Sequence, residues 1–197
     1  MTRKWFFLFS ILFFTTPSLL IANEKFYAGI GIGAPSFSLN QNQIVSNYSQ
    51  LTSNADMEDS TVALRAFAGM KFDEHLSGEI DYTFAGSIVA NESSTKHKLF
   101  DVNLFSIDVA LSNSLSENID YYGKLGVHVW DLVEKTESGT TLDNDLGIKF
   151  GLGIDINLYG DNSRRIRLDW THYEFDDVYL SGMDLLSVNI LFSFGNI

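Results

Sequence analysis

Leu146-Gly147-Ile148-Lys149-Phe150-Gly151-Leu152-Gly153-Ile154-Asp155-Ile156-Asn157-Leu158 is the stretch whose reading decides the fold. Every even position is apolar, while the odd positions hold Gly147, Lys149, Gly151, Gly153, Asp155 and Asn157. A helix, turning every 3.6 residues or so, would spread both classes around its surface; a strand sorts them onto two faces. This is a strand with one apolar face.

Working outward, the same period returns seven more times. Phe26, Ala28, Ile30 and Ile32 oppose Tyr27, Gly29, Gly31 and Gly33. Val62, Leu64, Ala66, Ala68, Met70 and Phe72 oppose Arg65, Phe67, Gly69 and Lys71. Leu76, Ile80, Tyr82 and Phe84 oppose Ser77, Glu79, Asp81 and Thr83, and Phe105, Ile107, Val109 and Leu111 oppose Ser106, Asp108 and Ala110. Ile119, Tyr121, Leu125, Val127 and Val129 oppose Asp120, Tyr122, Lys124 and His128. Ile166, Leu168 and Trp170 oppose Arg165, Arg167, Asp169 and Thr171; Leu186, Val188, Ile190, Phe192 and Phe194 oppose Ser187, Asn189 and Ser193. Eight strands are predicted, each close to the 9–11 or so residues that a tilted membrane strand needs.

The connections alternate in length. Long ones are expected at 34–60, 86–99, 131–145 and 174–184, and short ones at 73–75, 112–118 and 159–164, the last with the turn formers Asp161-Asn162-Ser163. An even strand count with long loops at one end and tight turns at the other predicts an all-β fold, an eight-stranded antiparallel up-and-down transmembrane β-barrel. Nothing marks a linker or a second domain. The first long loop, with Asn40-Gln41-Asn42-Gln43 and Asn47-Tyr48-Ser49, is polar and expected to be mobile.

The first two dozen residues follow different rules. Arg3 and Lys4 precede an apolar run, Trp5 to Phe14, then Thr15-Thr16-Pro17 and Leu19 to Ala22. That order predicts a secretory signal peptide over 1–22, cleaved after Ala22, with the barrel over 23–197. The run is too short for a membrane-spanning helix, which needs about 20 apolar residues. The chain remaining after cleavage has 25 acids against 11 bases, because Arg3 and Lys4 leave with the signal. A chain this acidic repels nucleic acid. The absence of cysteine excludes disulfides, thiolate metal sites and a cysteine nucleophile.

A soluble sandwich or a lipocalin-like barrel would hide its apolar face and expose one rich in Lys and Glu. Here the polar face carries glycines and both signs of charge. Phe26, Tyr82, Phe84, Tyr121, Trp170 and Phe194 sit towards strand ends, where a membrane protein places its aromatic girdles.

Tyr122-Gly123-Lys124-Leu125-Gly126-Val127-His128-Val129-Trp130, Arg167-Leu168-Asp169-Trp170 and Leu186-Ser187-Val188-Asn189-Ile190-Leu191-Phe192-Ser193-Phe194-Gly195 resemble the eight-stranded membrane domain of the outer membrane protein A type. The resemblance covers 24–197 and implies residence in the outer membrane of a Gram-negative envelope. It implies contact with outer-membrane lipid and lipopolysaccharide, and assembly by the barrel-insertion machinery, which would read Phe192 and Phe194 near the end of the chain. Gly195-Asn196-Ile197 extends past that signal, a departure from the family pattern. No match to the family's peptidoglycan-binding domain follows the barrel.

The resemblance also implies an ionic network inside the barrel, centred on Glu79 and Arg167, with Asp155, Asp169 and Lys124 around them. Strand parity independently puts these five on the polar face, together with Asp108, Lys149 and Arg65. That face totals six acids (Glu79, Asp81, Asp108, Asp120, Asp155, Asp169) and six bases (Arg65, Lys71, Lys124, Lys149, Arg165, Arg167). A balanced interior suits a paired, plugged lumen, and eight strands leave little bore. Removing Glu79 should strand Arg167, and exchanging the two charges should restore much of the loss.

The long loops carry thirteen acids against Lys96, Lys98 and Lys135. They suit a solvated surface, cation bridging to lipopolysaccharide, or adhesion to a basic host or surface ligand. A small-barrel lipid hydrolase would need Ser, His and an acid clustered at the outer interface. His75 falls in a turn, His97 in a loop and His172 on the outward face; His128 alone points inward, read as a hydrogen-bond partner in the lumen. No catalytic residue, metal ligand set or cofactor site is assigned. The sequence therefore predicts a monomeric, non-enzymatic barrel with a structural or surface-recognition role through four long extracellular loops. A narrow porin-like channel is the alternative, and a lipid-modifying enzyme the third reading.

Overall fold

The computed structural model describes residues 25–48, 56–58, 62–92, 95–136, 139–158 and 161–194. The expected signal peptide and its cleavage site, Ser49 in the first loop and Gly195-Asn196-Ile197 lie outside the described residues. In chain order the elements are β1 (Lys25–Leu39), α1 (Gln41–Asn47), β2 (Asp56–Glu58), β3 (Ala63–Lys71), β4 (Leu76–Glu92), β5 (Thr95–Ser116), β6 (Ile119–Thr136), β7 (Gly139–Leu158), β8 (Asp161–Glu174) and β9 (Leu180–Phe194).

Eight of these strands close a ring. Each pairs antiparallel with its neighbours in the order β1, β3, β4, β5, β6, β7, β8, β9, and β9 returns to β1 from Phe26↔Phe194 to Leu39↔Leu180. Short β2 adds to the outer part of β4 through Met57↔Ala90. Closure gives every stave two hydrogen-bonded neighbours, the condition for crossing hydrocarbon with strands. The apolar face points outward: Ile30, Ile32, Leu64, Val109, Leu125, Ile148, Leu152, Val188 and Ile190 are all exposed. No described helix is long and apolar enough to cross a membrane. At the short-turn end, Asp73 Oδ1 accepts 2.7 Å hydrogen bonds from the backbone N–H groups of His75 and Leu76. Those two donors hold the Asp73 carboxyl below the usual carboxylate range.

The outer half departs from the sequence reading. β3 has 9 residues, as expected for a membrane strand, but the other staves run from 14 to 22. The segments 86–99 and 131–145, expected as long loops, are mostly strand: β4 and β5 stay paired to Glu92↔Thr95, and β6 and β7 to Thr136↔Gly139. An antiparallel ladder satisfies its backbone in water as well as in lipid, so pairing need not stop where the membrane does. Likewise β5 continues through the expected short connection to Ser116, and β9 begins at Leu180 inside the expected fourth loop. The polar stretch expected to be mobile contains α1, whose Ile44 is fully buried. Two adjacent apolar residues, Ile44 and Val45, in a polar run gave too little periodicity to show that helix.

A β-bulge hides part of the pattern. The β4–β5 register shifts between Phe84 and Gly86, and Gly86 has φ 91°. That is a left-handed backbone, which glycine adopts at little cost. Before the bulge the odd residues Glu79, Asp81 and Thr83 are buried; Ala85 is buried within it, and beyond it the even residues Ile88 and Ala90 are. Phe84, expected in the outward girdle, is half-buried beside the bulge. Phe26, Tyr82, Tyr121, Trp170 and Phe194 face outward and are exposed, as is Phe192.

Candidate functional site

The inward residues of the eight staves fall into two tiers. The tier nearer the short turns is ionic, and it brings together all eight residues assigned to the lumen from sequence. Arg65, Glu79, Asp108, Lys124, Lys149, Asp155, Arg167 and Asp169 are each buried. Arg167 binds Asp155 with two nitrogens, at 2.7 and 3.0 Å, and reaches Glu79 with Nη1 at 2.6 Å. Arg65 donates to Glu79 at 3.0 Å, to Asp81 at 3.2 Å and to Asp169 at 2.7 Å. Lys124 pairs with Asp169 at 2.7 Å, and Lys149 bridges Asp81 and Asp108, the latter at 2.7 Å. Glu79, Asp81 and Asp169 are therefore each shared by two bases.

Neutral groups complete the network. Tyr27 donates to Glu79 at 3.2 Å; Tyr122, Thr171 and Ser187 donate to Asp169 at 2.8, 3.1 and 3.1 Å. The Arg167 guanidinium also lies 4.5 Å from the Tyr122 ring centroid and 5.2 Å from that of Phe67. Cations over aromatic faces lose less on leaving water than bare ones.

The structure explains the inward glycines. The register sets Gly29 opposite Phe67, Gly69 opposite Tyr27 and Gly153 opposite Tyr122, and in each pair the ring fills the space of a missing Cβ. Phe67, Tyr27 and Tyr122 are site residues that charge-based reading passed over. Their signal was an aromatic on the glycine-bearing face.

The second tier, towards the outer end, is apolar. Phe37, Ile88, Leu99, Phe100, Val102, Leu104, Trp130, Phe175, Leu180, Met183 and Leu185 form one buried cluster, with Ile44 of α1 set into it. A backbone hydrogen bond from Asn40 to the Tyr179 carbonyl, 2.9 Å, ties the α1 approach to the segment before β9. His128 sits where the tiers meet. It is buried, but its ring packs edge-on against Tyr173 and Phe175, and neither nitrogen has a hydrogen-bond partner among the described residues. Its expected role as a lumen hydrogen-bond partner gives way to ring packing, because its neighbours on the apolar side are aromatic.

Carboxylate oxygens of Glu79, Asp81 and Asp108 come within 4.8 Å of one another, a spacing open to a metal ion. The protein's own cations already hold that cluster: Arg65, Arg167 and Lys149 contact its three members. Outside the lumen, His172 Nδ1 lies 3.0 Å from Asp184 Oδ1 beside the rings of Phe150 and Trp170, and His75 Nδ1 lies 3.0 Å from the Ser112 carbonyl.

No curated protein sequence matches the chain. Among solved structures it is similar to Neisserial surface protein A, with a TM-score of 0.57 at 11% identity, covering 87% of this chain and 97% of that one. The N-terminal β-barrel domain of Pseudomonas aeruginosa OprF gives a TM-score of 0.55 at 9% identity, covering 87% and 98%. Ail, the attachment invasion locus protein of Yersinia pestis, gives 0.54 at 13%, covering 86% and 99%. At such identities these neighbours carry the fold and not the role. The family model of the OmpA-like transmembrane domain matches residues 21–197, so the chain belongs to that family and is an eight-stranded barrel of the cell outer membrane.

Proposed function

We propose that this barrel is a non-conducting, non-enzymatic scaffold that presents its outer hairpins and loops for structural contact or surface recognition. The observation carrying this reading is the filled lumen: an ionic tier with its charges paired lies below an apolar tier stoppered by Ile44. A bore so occupied leaves the outer surface as the place where the protein meets a partner. That surface is acidic, with Asp131, Asp145, Glu174 and Asp176 exposed. It suits a basic partner surface, or lipopolysaccharide phosphates approached through divalent cations.

Three measurements test the reading. Purified barrel in a planar bilayer should show no steady conductance; a steady wild-type current would replace this reading with the channel. Cells displaying the barrel should bind a cationic surface more than cells carrying a barrel whose β4–β5 and β6–β7 hairpins are cut back to the membrane. Equal binding would remove the recognition role. A mass change in outer-membrane lipid on expression would establish the enzyme instead.

A further inference from the structure

The two tiers differ in their access to water. A cleft of about 540 Å³ opens at the short-turn end among Lys71, Asp73, Glu74, His75, Ser112 and Asp120. A second cavity shares Lys71, Ser112 and Asp120 with it and continues inward to Tyr122, Asp155, Arg165 and Arg167. Its volume is about 20 Å³, room for about one water by the usual minimum of 10–15 Å³. The ionic tier retains a trace of exposure on that side, 6% at both Asp155 and Arg167. The outer side of that tier is closed, with Lys149, Thr83 and Thr171 fully buried, and in the apolar tier Ile44, Ala63, Ile88, Val102, Leu180, Met183 and Leu185 are fully buried while Phe37 and Phe175 keep 7%. That layer is lined almost wholly by apolar side chains, with the Trp130 Nε1 and the Tyr173 hydroxyl as its polar atoms, and water leaves narrow apolar constrictions.

We infer that the lumen is a blind cup, wetted from the periplasmic end up to the ionic tier, and that the permeability barrier is the apolar tier with Ile44 as its stopper. The ion pairs fix the staves and neutralise one another, while the apolar layer alone separates the cup from the outside. The stopper is lightly held. Its helix has seven residues, no side-chain cap at Asn40, no acid in its first turn and no base in its last. A helix so short depends on the contacts of its buried face.

The chain has no cysteine, so single cysteines can report access. Silver ion, small enough for the narrow cavity, is added to liposomes of the purified full barrel. Protease cleavage of a tag in the β6–β7 hairpin scores orientation. Thiols left unreacted are counted after unfolding, separately for barrels with the outer end or the short-turn end facing the silver. Asn189→Cys stands at the rung of Arg167, and Ser193→Cys lines the small cavity itself. Both should react when silver meets the short-turn end and stay protected when it meets the outer end. Met183→Cys, in the apolar tier, should stay protected from the short-turn end. Adding Ile44→Ser to Asn189→Cys should let silver reach the thiol from the outer end severalfold faster.

Protection of both Asn189→Cys and Ser193→Cys from the short-turn end would show that the cup is dry. Reaction of Asn189→Cys from the outer end without Ile44→Ser, or of Met183→Cys from the short-turn end, would show that the apolar tier is no barrier. Failure of Ile44→Ser to change access would move the stopper elsewhere. If Asn189→Cys does not fold, Ser193→Cys carries the same comparison. None of these outcomes depends on what the outer surface recognises.

Discussion

Gly69 and Tyr27 stand opposite each other across the β1–β3 ladder, and the Tyr27 ring occupies the space that a Cβ on residue 69 would need. From there the Tyr27 hydroxyl donates to Glu79 at 3.2 Å. A glycine on one strand thus sets the position of a donor to the ionic tier. Gly69→Ala should force the ring aside and cost about 1–3 kcal/mol, the usual scale for overpacking. Tyr27→Phe keeps the ring and loses only the hydrogen bond, about 0.5–1.5 kcal/mol. Urea unfolding in lipid vesicles compares them. If Gly69→Ala costs no more than Tyr27→Phe, the ring has room to move and the pairing is incidental.

The two faces of β7 make the next prediction. Leu152 is 62% exposed on the outer face, and Leu152→Arg should cost about 2–4 kcal/mol towards the bilayer midplane. Lys149 is fully buried between Asp81 and Asp108, so Lys149→Gln should be costly as well. It strands Asp108 and leaves Asp81 to Arg65 alone, and a loss of about 3–5 kcal/mol is expected. Folding yield and unfolding free energy in vesicles should fall for both. A Lys149→Gln barrel of wild-type stability would mean that its ion pairs contribute nothing.

Alternation was legible wherever one face met lipid and the other met charge, so β7 could be read residue by residue and the eight ionic residues placed on one face. Parity became unreadable past the bulge at Gly86, where the inward set passes from odd to even. The apolar tier was hidden for a second reason. Residues such as Ile88 and Leu185 are apolar and inward, so hydrophobicity no longer distinguishes lumen from lipid in the outer half. Sequence also could not show that Asp81, spaced like its neighbours, shares Lys149 with Asp108. Such sharing depends on register across strands far apart in the chain.

Asp73 gives a pH dependence with a definite sign. Its carboxylate accepts from two backbone N–H groups in the β3–β4 turn, which lowers its folded pKa. A carboxyl with a depressed folded pKa stabilises the fold above its unfolded pKa, and that contribution is lost as pH falls through the folded value. The wild type should therefore lose a part of its stability on acidification that Asp73→Ala lacks throughout. Unfolding curves of the two from neutral pH down through the carboxylate range should converge at the acid end. Parallel curves would mean that the turn does not depend on this charge.

The Glu79–Arg167 pair shows where pairwise reasoning fails. Taken alone, exchanging the charges would preserve one attraction and repair Glu79→Ala. In the barrel, however, Glu79 Oε1 also receives Arg65 at 3.0 Å, and Arg167 also holds Asp155 with two nitrogens. The exchange sets an arginine at 79 against Arg65 and a glutamate at 167 against Asp155, so two repulsions replace two attractions. Glu79→Ala should cost about 3–5 kcal/mol, the scale for breaking a buried pair by removing one partner. Glu79→Arg with Arg167→Glu should be less stable than Glu79→Ala, against the repair expected from two residues in isolation. Adding Arg65→Glu and Asp155→Arg, which restores opposite charges along the Arg65–Glu79–Arg167–Asp155 chain, should recover part of the loss, although Arg65 also serves Asp81 and Asp169. Coupling of this kind is expected among groups in one network. Urea unfolding of the single, double and quadruple variants in vesicles measures it. A double exchange as stable as the wild type would show that Glu79 and Arg167 form an isolated pair.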